Sequence, residues 1–186
     1  MNRPQNGFTL IELIVAMAIG AILAGLALPP LGDLIARNKV ATEVNRLVSD
    51  FQLARNSAVT RSSVVTICRS GDQVSCLSSS AANQLDAGWM TYTSANPQIS
   101  YVAGTDALLK VGEKASETTQ IRVQGNQAPD FISFLPSGRI ETAVPGNVVI
   151  TICKNGQSTE QVRGRRLTLA VSGRPSISEL PVGACN

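Results

Sequence analysis

The sequence contains no histidine among its 186 residues, and this absence removes several kinds of chemistry. Ser-His-Asp and Cys-His catalysis, histidine zinc motifs and a histidine pH switch all need an imidazole. Aromatic residues make up 4 % and charged residues 16 %, whereas soluble domains average about 25 % charged. A core must therefore come mainly from Val, Leu, Ile and Ala. The composition argues against an enzyme, and we predict neither a cofactor nor a metal site.

A long apolar run occupies the N-terminal part of the chain. Residues Phe8–Leu28 carry a single charge, on Glu12. A helix of this length spans about 31 Å, enough for a hydrocarbon core of about 30 Å. The run is too long for an ordinary secretory signal, and a short polar leader with Arg3 precedes it. The leader's charge places the N-terminus in the cytoplasm and the body of the chain beyond the inner membrane.

Glu12 is the unusual residue of this run. A carboxylate in an apolar segment costs a few kcal/mol on insertion scales, so its presence needs a reason. One reason is local, because Thr9 and Glu12 have the spacing of a capping box at the start of a helix. The other is that Glu12 neutralises a positive charge supplied by a neighbouring subunit. The sequence leaves both open.

The stretch Gly7-Phe8-Thr9-Leu10-Ile11-Glu12-Leu13 resembles the processing site of type IV pilins and type II secretion pseudopilins. The resemblance implies that a prepilin peptidase removes residues 1–7 as a leader peptide, cutting between Gly7 and Phe8. It also implies that Phe8 becomes the N-methylated terminus. The Glu12 carboxylate would then meet the terminal amine of an adjacent subunit in a filament.

Beyond Pro29-Pro30, which we expect to kink the helix, the pattern predicts an amphipathic half over residues 31–62. Its predicted core face comprises Ile35, Ala41, Val44, Leu47, Val48, Phe51, Ala54 and Ala58. Most charged residues are predicted to lie on the other face, namely Arg37, Lys39, Glu43, Arg46, Asp50 and Arg55. The predicted organisation is a leader over 1–7, a transmembrane helix over 8–30, this amphipathic half and a head over 63–186.

The head reads as short strands separated by turns. The predicted strands are rich in Val, Ile, Thr and aromatics and cover Ser63–Ile67, Met90–Thr93, Ile99–Val102, Ile121–Val123, Phe131–Leu135, Val148–Ile152 and Leu167–Val171. We predict loops at Leu77–Gln84 and Asn126–Pro129. Because no helical crossover separates neighbouring strands, the sheet should be antiparallel. The predicted fold class is α+β, with a long N-terminal helix packed on an antiparallel, pilin-like head.

Several head motifs follow one another in the order found in the GspH/FimT/FimU group of minor pilins and pseudopilins. They are Val65-Thr66-Ile67-Cys68, Ala87-Gly88-Trp89, Ala107-Leu108-Leu109, Phe134-Leu135-Pro136-Ser137-Gly138-Arg139 and Arg165-Arg166-Leu167 with Ser172-Gly173-Arg174. This resemblance implies a minor pilin that takes part in type IV pilus assembly at or near the tip. Its partners would be other minor pilins and the major pilin. The alternatives are a type II secretion pseudopilin and a DNA-binding minor pilin for DNA uptake.

The four cysteines are Cys68, Cys76, Cys153 and Cys185, and none forms a C-x-x-C pair. In an oxidising periplasm two structural disulfides are expected rather than a metal site. Of the three possible pairings we choose Cys68–Cys76, which closes a hairpin, and Cys153–Cys185, which ties the C-terminal tail to a strand.

The net charge of +3 comes from the last forty residues, where Arg163, Arg165, Arg166 and Arg174 form a candidate phosphate-binding set. In the branch of this group that takes up DNA, the resemblance implies a C-terminal G-R-x-R motif. This chain has Gly173-Arg174-Pro175-Ser176, so a serine stands at the second arginine's position. The other interpretation is a solvated strand end that aids solubility or contacts a neighbouring subunit.

Overall fold

The structure is a computed structural model, and it describes residues 7–77, 85–124, 130–143, 145–155, 164–181 and 184–185, without the side chains of 24–31. The predicted loop at Asn126–Pro129, and residues 78–84 of the other predicted loop, lie outside these ranges. The chain divides into two compact units, Met1–Ile35 and Ala36–Asn186, which are described separately here.

One helix, α1, runs from Leu10 to Arg61 and is not interrupted at Pro29-Pro30. Its C-terminal end has the hydrogen bonding of a Schellman cap. Ser62 adopts a positive φ of 50°, and the Ser63 amide donates to the Ala58 carbonyl at 3.2 Å. The helix therefore ends where the apolar spacing stops, one residue before the predicted boundary.

No helical stretch among the residues with described side chains is both long and apolar enough to cross a membrane. The last part of the predicted transmembrane helix, residues 24–30, lies outside that set.

The head contains two antiparallel sheets. The first has the order β3-β2-β1-β5-β6, and the second has the order β4-β7-β8-β9. The strands are β1 (Val64–Arg69), β2 (Trp89–Ser94), β3 (Leu108–Gly112), β4 (Thr119–Val123), β5 (Phe131–Phe134), β6 (Ile140–Glu141), β7 (Val148–Lys154), β8 (Arg165–Leu169) and β9 (Pro175–Glu179). The predicted α+β class with an antiparallel head is confirmed.

The main core lies between α1 and the inner faces of both sheets. The helix contributes residues at alternating spacings of four and three, which keep one face turned inward: Val40, Val44, Leu47, Phe51, Ala54 and Ala58. The sheets contribute Val65, Ile67, Phe134, Ile150 and Leu167, among others. Ile35, predicted in this core, is instead half exposed. It lies in the other unit, before the face that the head covers.

The strand prediction is wrong at Ile99–Val102, which forms no strand. Backbone groups of this segment form hydrogen bonds with side chains. The Val102 amide donates to Asp106 Oδ2 at 2.8 Å, and the Tyr92 hydroxyl donates to the Ile99 carbonyl. The segment instead covers the outer face of the first sheet, where Tyr101 meets Tyr92 edge-on at 5.3 Å. Burial raises the pKa of the Tyr92 hydroxyl, and the nearby Asp106 carboxylate adds to the shift.

Three strands were not predicted, namely β3, β6 and β9. β6 is only two residues long, and β9 begins with a proline and is mostly exposed, so neither has a strong apolar pattern. β3 carries Lys110 and ends in Gly112, both weak strand formers. All three are edge strands of their sheets. Pairing with the one neighbouring strand stabilises them although their own residues have a low strand propensity.

Two hairpin turns join the sheets at one point, and they contain the Ser-Gly-Arg motifs of the head. Gly138 and Gly173 both have positive φ, and the Arg55 Nε donates to the Gly138 carbonyl at 3.1 Å. A Cβ on Gly173 would lie 2.1 Å from that carbonyl oxygen. The Ile140 amide donates to the Val171 carbonyl at 3.0 Å, so a backbone bond links the two sheets here.

Candidate assembly site

The N-terminal part of α1 exposes a continuous set of large apolar side chains. Phe8 is 86 % exposed, and Leu10, Ile11, Leu13, Ile14, Val15, Met17, Ile19, Ile22 and Leu23 are all about half exposed or more. A contiguous exposed apolar surface of this size marks a protein or membrane contact. Nothing within the described chain covers it.

Glu12 lies inside this apolar segment, and its two predicted roles can now be compared. The Thr9 hydroxyl accepts a hydrogen bond from the Glu12 amide at 3.3 Å, so Thr9 caps the helix. A capping box also needs the glutamate side chain to reach back. Within residues 7–77 and the other described ranges, the Glu12 carboxylate is exposed and has no hydrogen-bond or ionic partner. The cap thus accounts for Thr9 and leaves the carboxylate without a role inside the chain.

Gly7 and Phe8 precede the helix and are both exposed. The predicted cleavage junction is therefore exposed, in a segment that is neither helix nor strand, and residues 1–6 of the predicted leader lie outside the described ranges.

A buried network of charged residues connects the C-terminal half of α1 to the head. The prediction that Glu43 and Asp50 lie on the outer face of the helix is wrong, because both are buried. Asp50 is fully buried, pairs with Lys110 and accepts a hydrogen bond from Trp89 Nε1 at 2.7 Å. Buried charges persist only when paired. One signal in the sequence could have found it, because Asp50 lies at helical spacing from Leu47 and Ala54. The identity of its partners could not be read from spacing.

Arg46 and Glu43 extend this network. The Arg46 guanidinium lies 4.5 Å from the centre of the Trp89 ring and donates to the Glu113 carbonyl at 2.8 Å. It also pairs with Glu43 at 2.9 Å, and Glu43 accepts from the Ser116 amide at 3.3 Å. These contacts attach the segment between β3 and β4, which contains Glu113 and Ser116, to α1.

Two disulfides are present, Cys68–Cys76 and Cys153–Cys185, which is the pairing chosen from the sequence. The loop closed by the first is shaped around Asp72. Hydrogen bonds from the Ser75 hydroxyl and from the Val74 and Ser75 amides hold the pKa of the Asp72 carboxyl well below its usual range. Beside the second, a Cβ on Gly164 would lie 2.4 Å from the Cys185 sulfur. Both bridges tie irregular segments to strands.

The structure does not bring the candidate arginines together. Arg165 is on the core-side face of β8 and pairs with Glu179 at 3.0 Å, whereas Arg166 follows it on the opposite face. Arg174 precedes β9 at the other end of the hairpin, about 13 Å along the strands from Arg166 and about 17 Å from Arg165. Arg163 lies outside the described residues. No phosphate-binding cluster forms among the three described arginines.

Arg165 and Glu179 also line an open cavity of about 300 Å³ together with Arg37 and Val40. Within the described ranges, no group of three or more acidic, cysteine or histidine residues could hold a metal ion.

A long helix with an exposed apolar end, carried on a two-sheet disulfide-bonded head, defines a pilin-like subunit. Residues 43–173 match the family model described as type II transport protein GspH, and residues 2–28 match the prokaryotic N-terminal methylation motif. The chain belongs to the GspH family. The resemblance to minor pilins and pseudopilins is therefore confirmed, and these are structural subunits, not enzymes.

Similar proteins include a fimbrial protein of Pseudomonas aeruginosa, 44 % identical over 57 residues, and the type IV major fimbrial protein FimA of Dichelobacter nodosus, 49 % identical over 45. The matches cover 31 % and 24 % of this chain, and 36 % and 28 % of those proteins. The chain thus spans about a third of the length of the curated relatives it matches.

Among solved structures, the type IV minor pilin FimU of Pseudomonas aeruginosa is similar, with a TM-score of 0.54 and 19 % identity. The alignment covers 76 % of this chain and 90 % of that one. At this identity the similarity establishes the shared fold.

Proposed function

We propose that this chain is a minor pilin that is incorporated into a type IV pilus at or near its tip and takes part in pilus assembly. The observation that carries the proposal is the exposed apolar segment that contains Glu12, a carboxylate with no partner in the described chain. Such a segment requires an apolar environment outside the subunit. In a low-dielectric filament interior, a neighbour's amine paired with Glu12 is worth far more than an exposed pair.

Before assembly, the same segment holds the precursor in the inner membrane, with the head in the periplasm. A prepilin peptidase cuts between Gly7 and Phe8, and Phe8 is then methylated. The match of residues 2–28 to the N-terminal methylation motif and the accessible junction support this sequence of events. The head then contacts other minor pilins and the major pilin.

Mass spectrometry of the chain purified from its host tests this proposal. The expected result is a mature protein that begins with N-methyl-Phe8. Replacing Gly7 with a bulky residue should leave an uncut precursor that is absent from filaments. An assembled chain that retains Met1 would overturn the proposal.

A second candidate is a type II secretion pseudopilin, and the description of the matching family model favours it. The two candidates predict different phenotypes in the host. Deleting the gene should reduce surface pili if the chain is a minor pilin, and should leave exoproteins in the periplasm if it is a pseudopilin. Normal piliation with a secretion defect would reverse our choice.

DNA uptake, the third hypothesis, receives no support from the arrangement of the described arginines. We therefore propose an assembly role for the head rather than DNA capture.

A further inference from the structure

The open cavity of about 300 Å³ lies between α1 and the last two strands of the second sheet. The described residues that line it are Arg37 and Val40 of the helix, Arg165 of β8 and Glu179 of β9. None of these four residues belongs to the exposed apolar segment or to the buried network around Asp50. Its volume is at the lower end of the range for small-molecule sites, about 300–1,000 Å³. The cavity is therefore large enough for one small polar group.

The lining of this cavity is mainly charged. Strand register places Arg165 directly opposite Glu179, and their side chains pair at 3.0 Å. These side chains are 38 % and 51 % exposed, so the pair contributes little to stability and can exchange partners. The buried side chain of Val40 supplies an apolar part of the wall. Together with Arg37, the lining carries two positive charges and one negative charge.

The charges of the lining select the ligand. Two guanidinium groups favour a phosphate or a carboxylate, because each presents a planar set of N–H donors. A carboxylate from a protein partner would bring a like charge next to Glu179, which is unfavourable. A phosphodiester that carries hydroxyl groups places its charge on the arginines and donates a hydrogen bond to Glu179. Its single negative charge also balances the lining.

The position of the cavity along the chain indicates a membrane lipid as the source of this group. Val40 is the first residue of α1 in the main core, so the cavity lies where the helix enters the head. Arg37 follows Leu28, the last residue of the apolar run, by nine residues. In a precursor that is held in the membrane by this run, Arg37 belongs to the part of the head nearest to the membrane along the chain. Its side chain also points towards the N-terminus of the helix.

We propose that this cavity, called here the headgroup site, binds the phosphoglycerol headgroup of an anionic phospholipid of the inner membrane. Arg37 and Arg165 bind the phosphate oxygens, and Glu179 accepts a hydrogen bond from a glycerol hydroxyl. The inference rests on the membrane-held precursor of the proposed function. It adds a lipid ligand that the head itself recognises.

Native mass spectrometry of the full chain in a non-ionic detergent tests the proposal. The probe is short-chain phosphatidylglycerol. The control is short-chain phosphatidylcholine, whose headgroup has a phosphate but no net charge and no hydroxyl. One phosphatidylglycerol should be retained per chain, with an affinity at least about tenfold higher than that for phosphatidylcholine. Equal retention of the two lipids, or retention of neither, would overturn the proposal.

Substitutions separate the headgroup site from lipid that associates with the apolar segment or with surface charge in general. Arg37→Gln and Arg165→Gln should each weaken phosphatidylglycerol binding at least about tenfold, because charge-assisted hydrogen bonds are lost. Lys39→Gln is the matched control. Lys39 is an exposed cation two residues from Arg37, but it donates to Thr118 Oγ1 at 3.2 Å and does not line the cavity.

The control variant should bind phosphatidylglycerol within about twofold of the wild type, and the melting temperature without lipid should be the same in all three variants. All three replaced side chains are at least partly exposed, so their replacement should not unfold the head. Equal losses of binding in Arg37→Gln, Arg165→Gln and Lys39→Gln would indicate a general electrostatic attraction and contradict the proposal.

Competition identifies the source of the phosphate group. Glycerophosphoglycerol, which is the headgroup without its acyl chains, should displace the lipid at lower concentration than inorganic phosphate does. If inorganic phosphate is the better competitor, the cavity is a site for free phosphate and the proposal fails. If no lipid binds but Arg37→Gln reduces incorporation into filaments, the ligand is an acidic group of another subunit, and the proposal also fails.

The lipid measurement and the filament measurement can fail independently. A chain that is found in filaments with N-methyl-Phe8 but does not retain phosphatidylglycerol keeps the proposed function and lacks the headgroup site. A chain that retains this lipid but is absent from filaments keeps the headgroup site and lacks the proposed function.

Discussion

Glu12 and Asp50, one in each half of α1, have carboxylates in opposite surroundings. In the first half, Glu12 is exposed among exposed apolar side chains and has no partner in the described chain. In the second half, Asp50 is fully buried and is held by Lys110 and Trp89. A charge in an apolar setting persists only with a counter-charge. The head supplies one for Asp50 from its own residues, whereas the described part of the chain supplies none for Glu12, and we propose that its counter-charge comes from another subunit.

The same difference extends to the apolar residues of the two halves. The head covers Val44, Leu47 and Phe51 with its own sheets, and its irregular segments are tied down by disulfides and turns. Residues from Phe8 to Leu23 have no such cover within the part of the chain that the structure describes. We infer that the head is stable by itself and that the N-terminal half of α1 is covered by other molecules. Each prediction below tests one side of this contrast.

The largest expected effect is that of Asp50→Ala. It leaves Lys110 without its carboxylate and the Trp89 indole N–H without its acceptor, so the free energy of unfolding of the head should fall by about 4 kcal/mol. Chemical denaturation of the full chain in detergent measures the loss. The matched variant Glu12→Ala should change it by less than about 0.5 kcal/mol. Equal losses in the two variants would remove the contrast between these carboxylates.

The two disulfides should differ in their contribution to the same quantity. On the chain-entropy model, removing Cys153–Cys185 costs about 3.7 kcal/mol and removing Cys68–Cys76 about 2.6 kcal/mol, because the first closes the longer loop. Replacing each pair with alanine and measuring urea unfolding checks the order. A larger loss for the Cys68–Cys76 pair would show that the loop around Asp72 contributes native-state contacts that outweigh loop length.

Gly173→Ala tests the point where the two sheets meet. Its Cβ would lie 2.1 Å from the Gly138 carbonyl oxygen, so the turns must move apart at a cost of about 1–3 kcal/mol. Gly104→Ala is the matched control, since Gly104 has a similar positive φ and open space around it. The control isolates the backbone strain that both share. If both variants lose the same stability, the contact between the turns contributes nothing.

Sequence patterns were sufficient for the elements whose periodicity is set by a single core. The apolar spacing of Val44, Leu47, Phe51, Ala54 and Ala58 predicts the helix face that the head buries. Most strands of the second sheet were predicted for the same reason, since their inward residues alternate. The pairing of four cysteines could be chosen because both bridges close short or terminal segments.

Long-range pairing was not readable from the sequence. Asp50 reads as a surface residue until Lys110 and Trp89, far along the chain, are placed beside it. Edge strand β9 has too little apolar alternation to be recognised, and Ile99–Val102 has a strand-like composition but serves as a cover. The candidate arginines look like a cluster in sequence, and strand alternation separates Arg165 from Arg166.

The smallest expected effect concerns DNA. The full chain in detergent should bind a short duplex weakly, with a log–log salt slope shallower than about −2, because few of its arginines can reach phosphates together. Titration of fluorescent DNA at several salt concentrations gives the slope. A slope of about −3 to −4 that becomes shallower by about one in Arg174→Ala would mean that arginines of the head bind DNA phosphates together.

The most direct test of the contrast between the two halves is the incorporation of Glu12→Gln into filaments. Glutamine keeps the shape of the side chain and the amide that Thr9 caps, and it removes only the charge. The quantity to measure is the ratio of variant to wild-type chain in sheared filaments, normalised to the amount in the cells. We predict that the ratio falls severely while the melting temperature of the head is unchanged. Incorporation equal to the wild type would contradict a partner for Glu12 outside the subunit.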